Sequence, residues 1–538
     1  MLLRPGCPVQ ARSLSATRLF GTSSMQPTTF SMLPLELYDY LSTFLDGPEL
    51  VALVYTHKRI GTFLMQANER WRRLYLRQFP LQDPQEQQWL QWFIGQQDGA
   101  SDATIAWSQA YCLRWRTTCN LHRGQFTRHP VPLDDDNAAG ALEVILATDH
   151  RLLVDDRTRR MAVLVTFHPP TFHDADFTFR PAASVSVNRF DYARHGYLEG
   201  SDFKLGRHYL MAFENLNSQM LYVYPLGHGV PFQVRCSMMP EDDDDAVSFG
   251  LSIATSNRMD VGMHWCMVTL LDTVKDAYRS RVYHPASRRW CSAAIETPNR
   301  SLDVRCAAIW RESTASVIIA NVVAHPSMHT RRREITLQLW AVSLDAPSAY
   351  CAHTEQFPVE EDEIMPDDHC KASVVSLNSD WLLISMASMS ALSTVEIFYR
   401  PALPNGFPTN PAATSHQLTG GYSWRVKVGR LRTTPPFMLG VDRVGIWADD
   451  AQVNIHALAD GALLWRCSLN SDVYSSLLGG TLLGSNDGGT ALADIHRRTH
   501  MPLSLDARYP MCAGRYIADH NKEAGTIALC DFTPYHVN

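Results

Sequence analysis

Apolar residues recur with two different periods along this chain, and the change of period divides it into two parts. From Leu37 to Leu45 they are spaced by three and four residues, which predicts one face of a helix. Beyond about residue 140 the chain shows short runs rich in Val, Ile, Leu, Tyr and Trp, separated by Asp, Asn, Gly and Pro. Such runs predict short strands. The expected fold class is therefore an α+β multidomain chain, with small all-α segments ahead of an all-β domain.

Within the helical part, start and stop signals lie close together. Pro34 suits the first position of a helix, where its missing N–H is no loss. Asp46 can cap a second helix, and Glu49 completes the spacing of a capping box. Leu50 and Leu53 give that second helix its own apolar face. A cluster this short leaves apolar surface uncovered, and such a surface usually contacts a partner.

These signals divide the chain into four segments. They are a tail (1–31), a compact helical cluster (32–80), a stretch of linker helices (81–125) and the β domain (140–538).

Nine residues of the helical cluster match the pattern of a known family: Leu33, Pro34, Glu36, Leu45, Asp46, Glu49, Leu50, Leu53 and Trp71. The stretch resembles an F-box, aligned without a gap through Ile60. It departs from the family pattern at residues 55–57 and by one extra residue before Trp71. The alternative is an unrelated helical hairpin at the edge of a larger domain.

The resemblance implies a partner and an interface. An F-box binds the Skp-family adaptor of a cullin-based, SCF-type ubiquitin ligase by packing helix on helix. The residues expected at this interface are Leu33, Pro34, Glu36, Leu37, Leu41, Leu45, Leu50 and Leu53.

The linker segment is rich in aromatic residues at helical spacing. Trp107, Tyr111 and Arg114, followed by an Asn-Leu-His-Arg-Gly turn at 120–124, resemble the connector of F-box proteins that carry a WD-type propeller. Leu121 stands where that connector has a second Trp. We expect the aromatic side chains to pack the linker helices together and to join the first strand of the next domain.

The β domain carries an internal repeat, and repeats of this kind indicate stacked structural units. One strand of each unit is centred on Val165, Val223, Val282, Leu339, Ile397 and Ile455, which follow one another at a nearly constant interval. A last strand, centred on Leu529, follows after a distinctly longer interval. Units of about four short strands close into a ring, so the repeat predicts a divergent WD-like β-propeller of six to eight blades, with seven preferred. A β-sandwich or two separate β domains are the alternatives.

Composition narrows the function classes. The chain has 538 residues, 45% of them hydrophobic and 19% charged, which is typical of a globular protein. A net charge of −7 argues against a nucleic-acid binder, and no apolar run is long enough to span a bilayer. The twelve cysteines include no Cys-x-x-Cys pair, which fits a reducing compartment, the cytoplasm or nucleus.

The tail gives a different indication of location. Residues 1–31 contain Arg4, Arg12 and Arg18, several serines and no acidic residue, as mitochondrial presequences do. A disordered tail, or a start nearer Met25 or Met32, would give the same composition. Mitochondrial association therefore stays open beside a cytoplasmic or nuclear location.

Motifs for catalysis are absent from the sequence. It has no phosphate-binding Gly-rich loop, no His-Glu-x-x-His and no Gly-x-Ser-x-Gly. His168, His173, Asp174 and Asp176 are close enough in sequence to bind a metal, but we expect a solvated loop. The acidic runs at 134–136, 241–245 and 360–363 and the basic run at 331–333 are expected to be loops, with contacts to charged partners as the functional alternative.

The sequence thus predicts a non-catalytic, cofactor-free adaptor that recruits an unidentified protein substrate to a ubiquitin ligase. A non-ligase scaffold, a mitochondria-associated F-box protein and a propeller hydrolase are the alternatives.

Overall fold

The chain folds into a group of helices followed by a β-propeller in a computed structural model. The structure describes residues 33–81, 83–94, 105–131, 142–148, 151–156, 158–168, 170–173, 178–180, 185–191, 202–206, 208–213, 220–226, 230–236, 258–262, 264–272, 277–298, 305–325, 333–345, 349–359, 370–388, 393–402, 421–428, 436–449, 452–468, 473–478, 481–486, 489–494, 499–503, 505, 511–513, 515–521 and 526–533.

The helices come first in the chain. Their bounds are α1 Leu35–Ser42, α2 Gly47–Val54, α3 Lys58–Met65, α4 Asn68–Gln78, α5 Pro84–Ile94 and α6 Trp107–Arg123. The predicted capping box of α2 is confirmed: Asp46 and Glu49 each accept, through the side chain, a hydrogen bond from the other residue's backbone N–H. Pro34, predicted at the first position of α1, instead lies just before the helix as its N-cap residue, and α1 begins at Leu35.

Eight four-stranded antiparallel sheets form the blades of the propeller within the described residues. Blade 1 consists of β2 Leu142–Thr148, β3 Arg151–Asp156, β4 Met161–Phe167 and β7 Val185–Asp191, and blade 2 consists of β8 Asp202–Leu205, β9 Tyr209–Phe213, β10 Met220–Pro225 and β11 Phe232–Arg235. Blade 3 consists of β12 Arg258–Val261, β13 Cys266–Asp272, β14 Ala277–His284 and β15 Arg289–Pro298. Blade 4 consists of β16 Ala307–Glu312, β17 Ser316–His325, β18 Arg333–Ser343 and β19 Tyr350–Val359.

Blades 5 to 8 follow in the same order. Blade 5 consists of β20 Cys370–Ser376, β21 Leu382–Ser388, β22 Ser393–Arg400 and β23 Tyr422–Val428, and blade 6 consists of β24 Phe437–Met438, β25 Arg443–Asp449, β26 Gln452–Ala457 and β27 Leu463–Ser468. Blade 7 consists of β28 Val473–Leu477, β29 Thr481–Asn486, β30 Gly489–Asp494 and β31 Thr499–Pro502. Blade 8 consists of β32 Met511–Ala513, β33 Tyr516–Asn521, β34 Thr526–Asp531 and β1 Thr127–Pro130. A small hairpin of β5 Thr171–His173 and β6 Thr178–Arg180 is inserted in blade 1.

Blade 8 closes the ring by combining the two ends of the β domain. Strand β1 pairs with β34, so that Thr127 lies opposite Asp531 and Pro130 opposite Ala528. Strand β32 also contacts β2 of blade 1. The propeller therefore draws one strand from ahead of residue 140, where the sequence places its start, and closure leaves no open edge between the first and last blades.

The preferred number of seven blades is wrong, and the reason is visible in the repeat. The long step from Ile455 to Leu529 contains a blade whose third strand, β30, carries Leu492 midway between them. The last two blades have short connections, so they do not follow the regular interval of the earlier blades. The propeller itself, and a blade number within six to eight, are confirmed.

Apolar clusters fill the boundaries between neighbouring blades. Ile318 and Leu337 of blade 4, for example, pack with Ile384 and Ile397 of blade 5, all at most 4% exposed. Burying a Leu or Ile side chain contributes about 1.5–3 kcal/mol, so these boundaries hold the ring together. The boundary between blades 7 and 8 differs from the others, because its cluster is continuous with the core of the helices.

Candidate functional site

Helix α1 turns an apolar stripe to the outside of the molecule. Its buried residues are Tyr38 and Ser42, which face the other helices. On the opposite side Leu37 is 43% exposed, Tyr40 63% and Phe44, just after the helix, 68%. The Tyr40 and Phe44 rings contact each other edge to face at 5.0 Å. We call the exposed side chains of Leu37, Tyr40 and Phe44, together with the half-buried Leu41, the α1 stripe.

The predicted adaptor-binding residues occupy three different environments. Pro34, Glu36 and Leu37 are exposed, and Leu41 is half-buried. Leu33, Leu45 and Leu53 are partly buried and pack against the helical core. Leu50 is fully buried, with Val54, in that core. The prediction that Leu50 lies on the docking surface is therefore wrong, because the face of α2 that carries it is turned inward.

Two residues of the α1 stripe were missed as site residues. Tyr40 and Phe44 follow Leu37 at three and seven positions, which is the spacing of one helix face. The spacing alone does not tell which face of α1 meets the rest of the chain. The sequence does contain a relevant signal: Tyr38 and Ser42 are spaced four residues apart on another face of α1, and that face could equally have packed against the rest of the chain.

Helix α4 holds α1 in place from its inner side. The Arg70 guanidinium forms an ion pair with Asp39 at 3.0 Å and donates a hydrogen bond to the Ser42 hydroxyl. Trp71, the late Trp of the F-box pattern, is fully buried, and its indole N–H donates to the carbonyl oxygen of Leu64 at 2.9 Å. Arg70 therefore ties helix α1 to helix α4 through Asp39 and Ser42.

The linker helices pack against the helical cluster through a core of aromatic side chains, as the sequence predicts. Trp89, Trp92, Trp107 and Tyr111 are buried together. Tyr111 lies against the start of α2, where an added Cβ on Gly47 would come 1.6 Å from the Tyr111 hydroxyl.

A buried ion pair locks α5 to α6. The Arg114 Nε–H donates to Glu86 Oε2 at 2.8 Å, and both side chains are almost completely buried. Burial opposes the charge of Arg114, but Glu86 outweighs it and raises the pKa of the guanidinium. Next to the pair, burial and then the charge of Glu86 raise the pKa of Asp83 to about 6.

Several contacts fasten the helices to the propeller. The Trp92 indole N–H donates to the carbonyl oxygen of Phe167 in blade 1 at 3.1 Å, and the Asn120 side-chain amide donates to that of Phe532 at 2.9 Å. Helix α6 ends at Gly124, which has a φ of +62°, and the chain then runs into β1 of blade 8. The α1 stripe and the blades are thus joined through packed elements.

The structure describes only some of the other predicted site residues. His168 lies beside the Ser186 hydroxyl at 2.8 Å, and His173 ends β5. In the part of the chain that the structure describes, no group of three or more His, Cys, Asp or Glu side chains could hold a metal ion. Outside the described residues lie the tail, Asp174, Asp176, the three acidic runs, Arg331 and Arg332.

None of the described helices is both long and apolar enough to cross a membrane.

Comparison with known proteins returns solved structures at low identity and low TM-score. No family model matches the chain, and no curated protein matches it. Apo AztD from Citrobacter koseri is 8% identical, with 69% of this chain and 89% of that chain covered and a TM-score of 0.36. BamB from Moraxella catarrhalis is 9% identical, with 71% and 83% covered and a TM-score of 0.28.

Hsv2 from Kluyveromyces lactis gives a third comparison. It is 8% identical, with 59% of this chain and 88% of that chain covered and a TM-score of 0.31. Similarities at this level carry no argument about function. The assignment of the propeller rests on the strand order and register of the chain itself.

Proposed function

We propose that this chain is the substrate-recognition subunit of a cullin-based, SCF-type ubiquitin ligase. In this proposal the helical cluster is an F-box that binds the Skp-family adaptor, and the propeller binds the protein substrate. The observation that carries the proposal is the α1 stripe, an uncovered apolar surface inside the segment that resembles an F-box. Two of its side chains, Tyr40 and Phe44, are aromatic, and aromatic residues are enriched at protein interfaces.

The geometry supports this function in a second way. A receptor must hold its substrate at a defined distance from the ligase, because proximity raises the effective concentration of the reacting groups. The buried contacts of Trp92 and Asn120 with blades 1 and 8 restrict movement between the helices and the ring. In this proposal the chain itself catalyses no reaction, and the recruited proteins transfer the ubiquitin.

Affinity purification of the tagged full chain from its own cells tests the proposal. We expect the adaptor and a cullin to be recovered, and both to be lost with Leu37→Asp, which places a charge in the α1 stripe. Tyr422→Asp is the matched control, because Tyr422 is a 50% exposed aromatic residue on blade 5. Recovery of neither partner with the native chain would reject the ligase assignment, and recovery of the adaptor without a cullin would favour a non-ligase scaffold.

A further inference from the structure

The edge between blades 2 and 3 gathers aromatic rings and arginines. Tyr283 and Trp290 are paired across β14 and β15, with ring centroids 5.0 Å apart. The Arg281 guanidinium lies over the Trp290 ring at 4.8 Å. The Arg288 guanidinium lies over the ring of Phe232, on the outer strand of blade 2, at 4.3 Å. Trp290 is half-buried and Arg288 and Arg289 reach the surface, whereas Tyr283 lies beneath them with no exposed area.

Two buried donors at this edge have no acceptor. The Tyr283 hydroxyl and the Trp290 indole N–H are both buried without a hydrogen-bond partner in the described part of the chain. A buried donor without a hydrogen-bond partner is unfavourable, so each of these groups calls for an acceptor. Burial raises the pKa of Tyr283 to about 12, although the nearby Arg288 acts in the opposite direction. The hydroxyl therefore keeps its proton and remains a donor at neutral pH.

The two exposed arginines at this edge lack an acidic partner in the described part of the chain. Neither Arg288 nor Arg289 forms an ion pair with a carboxylate among the residues that the structure describes. Glu296 of blade 3 is engaged by another arginine, Arg279, at 3.1 Å. The whole chain has a net charge of −7, so two exposed arginines above two buried donors, none of the four with an acceptor among the described residues, stand out locally.

The hairpin that carries the arginines is held in one conformation. His284 Nδ1 accepts a hydrogen bond from the Ser287 backbone N–H at 3.2 Å, and the His284 ring packs against Trp265 at 4.6 Å. The Trp265 indole N–H donates to the carbonyl oxygen of Ser313 in blade 4 at 2.6 Å. Arg288 has a φ of +54°, which few non-glycine residues adopt. A fixed hairpin loses little freedom when a ligand binds.

We propose that this edge binds an anionic side chain of a protein segment, a carboxylate or a phosphorylated residue, through Tyr283, Trp290, Arg288 and Arg289. Oxygen acceptors of this kind would satisfy the buried donors, and arginine pairs with carboxylate and phosphate in the same planar geometry. The inference rests on the proposed function, since it names the class of substrate that the propeller would recruit.

Binding of fluorescein-labelled peptides to the full chain, measured by anisotropy, tests the site. The probes are a short glutamate-rich peptide, the same peptide with glutamine in place of glutamate, and a phosphoserine version of the glutamine peptide. We expect one or both of the anionic peptides to bind and the glutamine peptide to bind at least 10-fold more weakly. Equal binding of all three, or binding of inorganic phosphate without any of the peptides, would overturn the assignment.

Conservative variants separate a binding role from a packing role. Tyr283→Phe and Trp290→Phe remove the unsatisfied donors while keeping an aromatic ring. We expect each to weaken peptide binding about 10-fold, the value of one hydrogen bond to a charged group, with an unchanged or higher thermal midpoint. Arg289→Glu should abolish binding, and Arg466→Glu, an exposed arginine on blade 6, is the matched control. Unchanged binding in both Phe variants would show that ordered water satisfies these donors and would reject the site.

Failure of this site and failure of the receptor proposal can be distinguished. The Arg289→Glu chain should still recover the Skp-family adaptor, because the α1 stripe is untouched. Anionic-peptide binding by a chain that recovers no adaptor would reject the ligase function and keep the site. Adaptor recovery without peptide binding would do the reverse.

Discussion

The guanidinium of Arg515 lies 3.8 Å from the centre of the Trp92 ring, and this contact joins helix α5 to blade 8. Beneath it, Arg515 is paired with the buried carboxylate of Asp531 and donates to the Thr533 hydroxyl at 3.2 Å. Burial alone would raise the pKa of Asp531, but Arg515 and Thr533 outweigh it and hold this pKa below its ordinary value. One arginine therefore stabilises both the closing blade and its contact with the helices.

Replacing that arginine should destabilise blade 8. In Arg515→Met the Asp531 carboxylate stays buried without its partner, which typically costs about 3–5 kcal/mol. We expect a lower thermal midpoint and faster hydrogen exchange in β33 and β34. Adding Asp531→Asn should recover part of the loss, and Arg466→Met, at an exposed position, should have almost no effect. An unchanged midpoint in Arg515→Met would contradict the structural role of the pair.

Blade 5 should give the protein a pH-dependent stability. Burial raises the pKa of Glu396 from 4.5 to about 7, while its hydrogen bond from Ser385 acts in the opposite direction. Because the folded pKa lies above the unfolded one, the folded state holds the proton more tightly, and stability falls as the pH rises from about 4.5 to about 7.

Glu396→Gln removes this ionisation. The variant should match the native chain near pH 4.5 and exceed its stability at pH 8 by about 3 kcal/mol, from the size of the pKa shift. Thermal melts across this pH range measure the difference. Glu334→Gln, at an exposed position of β18, is the control and should follow the native chain throughout. If the stability of Glu396→Gln changed with pH in the same way as that of the native chain, the Glu396 carboxylate would not be buried.

Gly47 should tolerate no side chain. A Cβ at this position would come 1.6 Å from the Tyr111 hydroxyl oxygen and 2.3 Å from the ring carbon that bears it. Overpacking of this kind costs about 1–3 kcal/mol, so Gly47→Ala should loosen α2 from α6. Hydrogen exchange should accelerate in these two helices and stay unchanged in blades 2 to 5. Ala52→Ser, on the exposed side of α2, should leave exchange unaltered in both regions.

Local signals in the sequence predicted local structure well. The Asp46–Glu49 pair starts α2 where expected, and α1 starts one residue after Pro34, because helix starts depend on a few neighbouring residues. The alternation of short apolar runs likewise predicted the propeller. Blade number was missed because strand and loop lengths together set the repeat, and blades 7 and 8 follow one another at a shorter interval than the earlier blades.

Properties that depend on tertiary packing could not be predicted from the pattern. Leu50 and Leu37 have the same residue type and similar helical spacing, yet one is buried and the other exposed. The pairing of Tyr283 with Trp290 depends on the register of β14 and β15, and the lack of an acceptor depends on what surrounds the pair. Neither the register nor the surroundings are encoded in a short sequence window.

The proposed function depends first on binding of a Skp-family adaptor by the α1 stripe, which calorimetric titration of the purified full chain with the purified adaptor measures. We expect saturable binding that weakens about 30-fold or more in Phe44→Asp, as for an interface hot spot, and that is unchanged in Tyr422→Asp. Absence of binding by the native chain, or equal binding by native chain and Phe44→Asp, would contradict the claim.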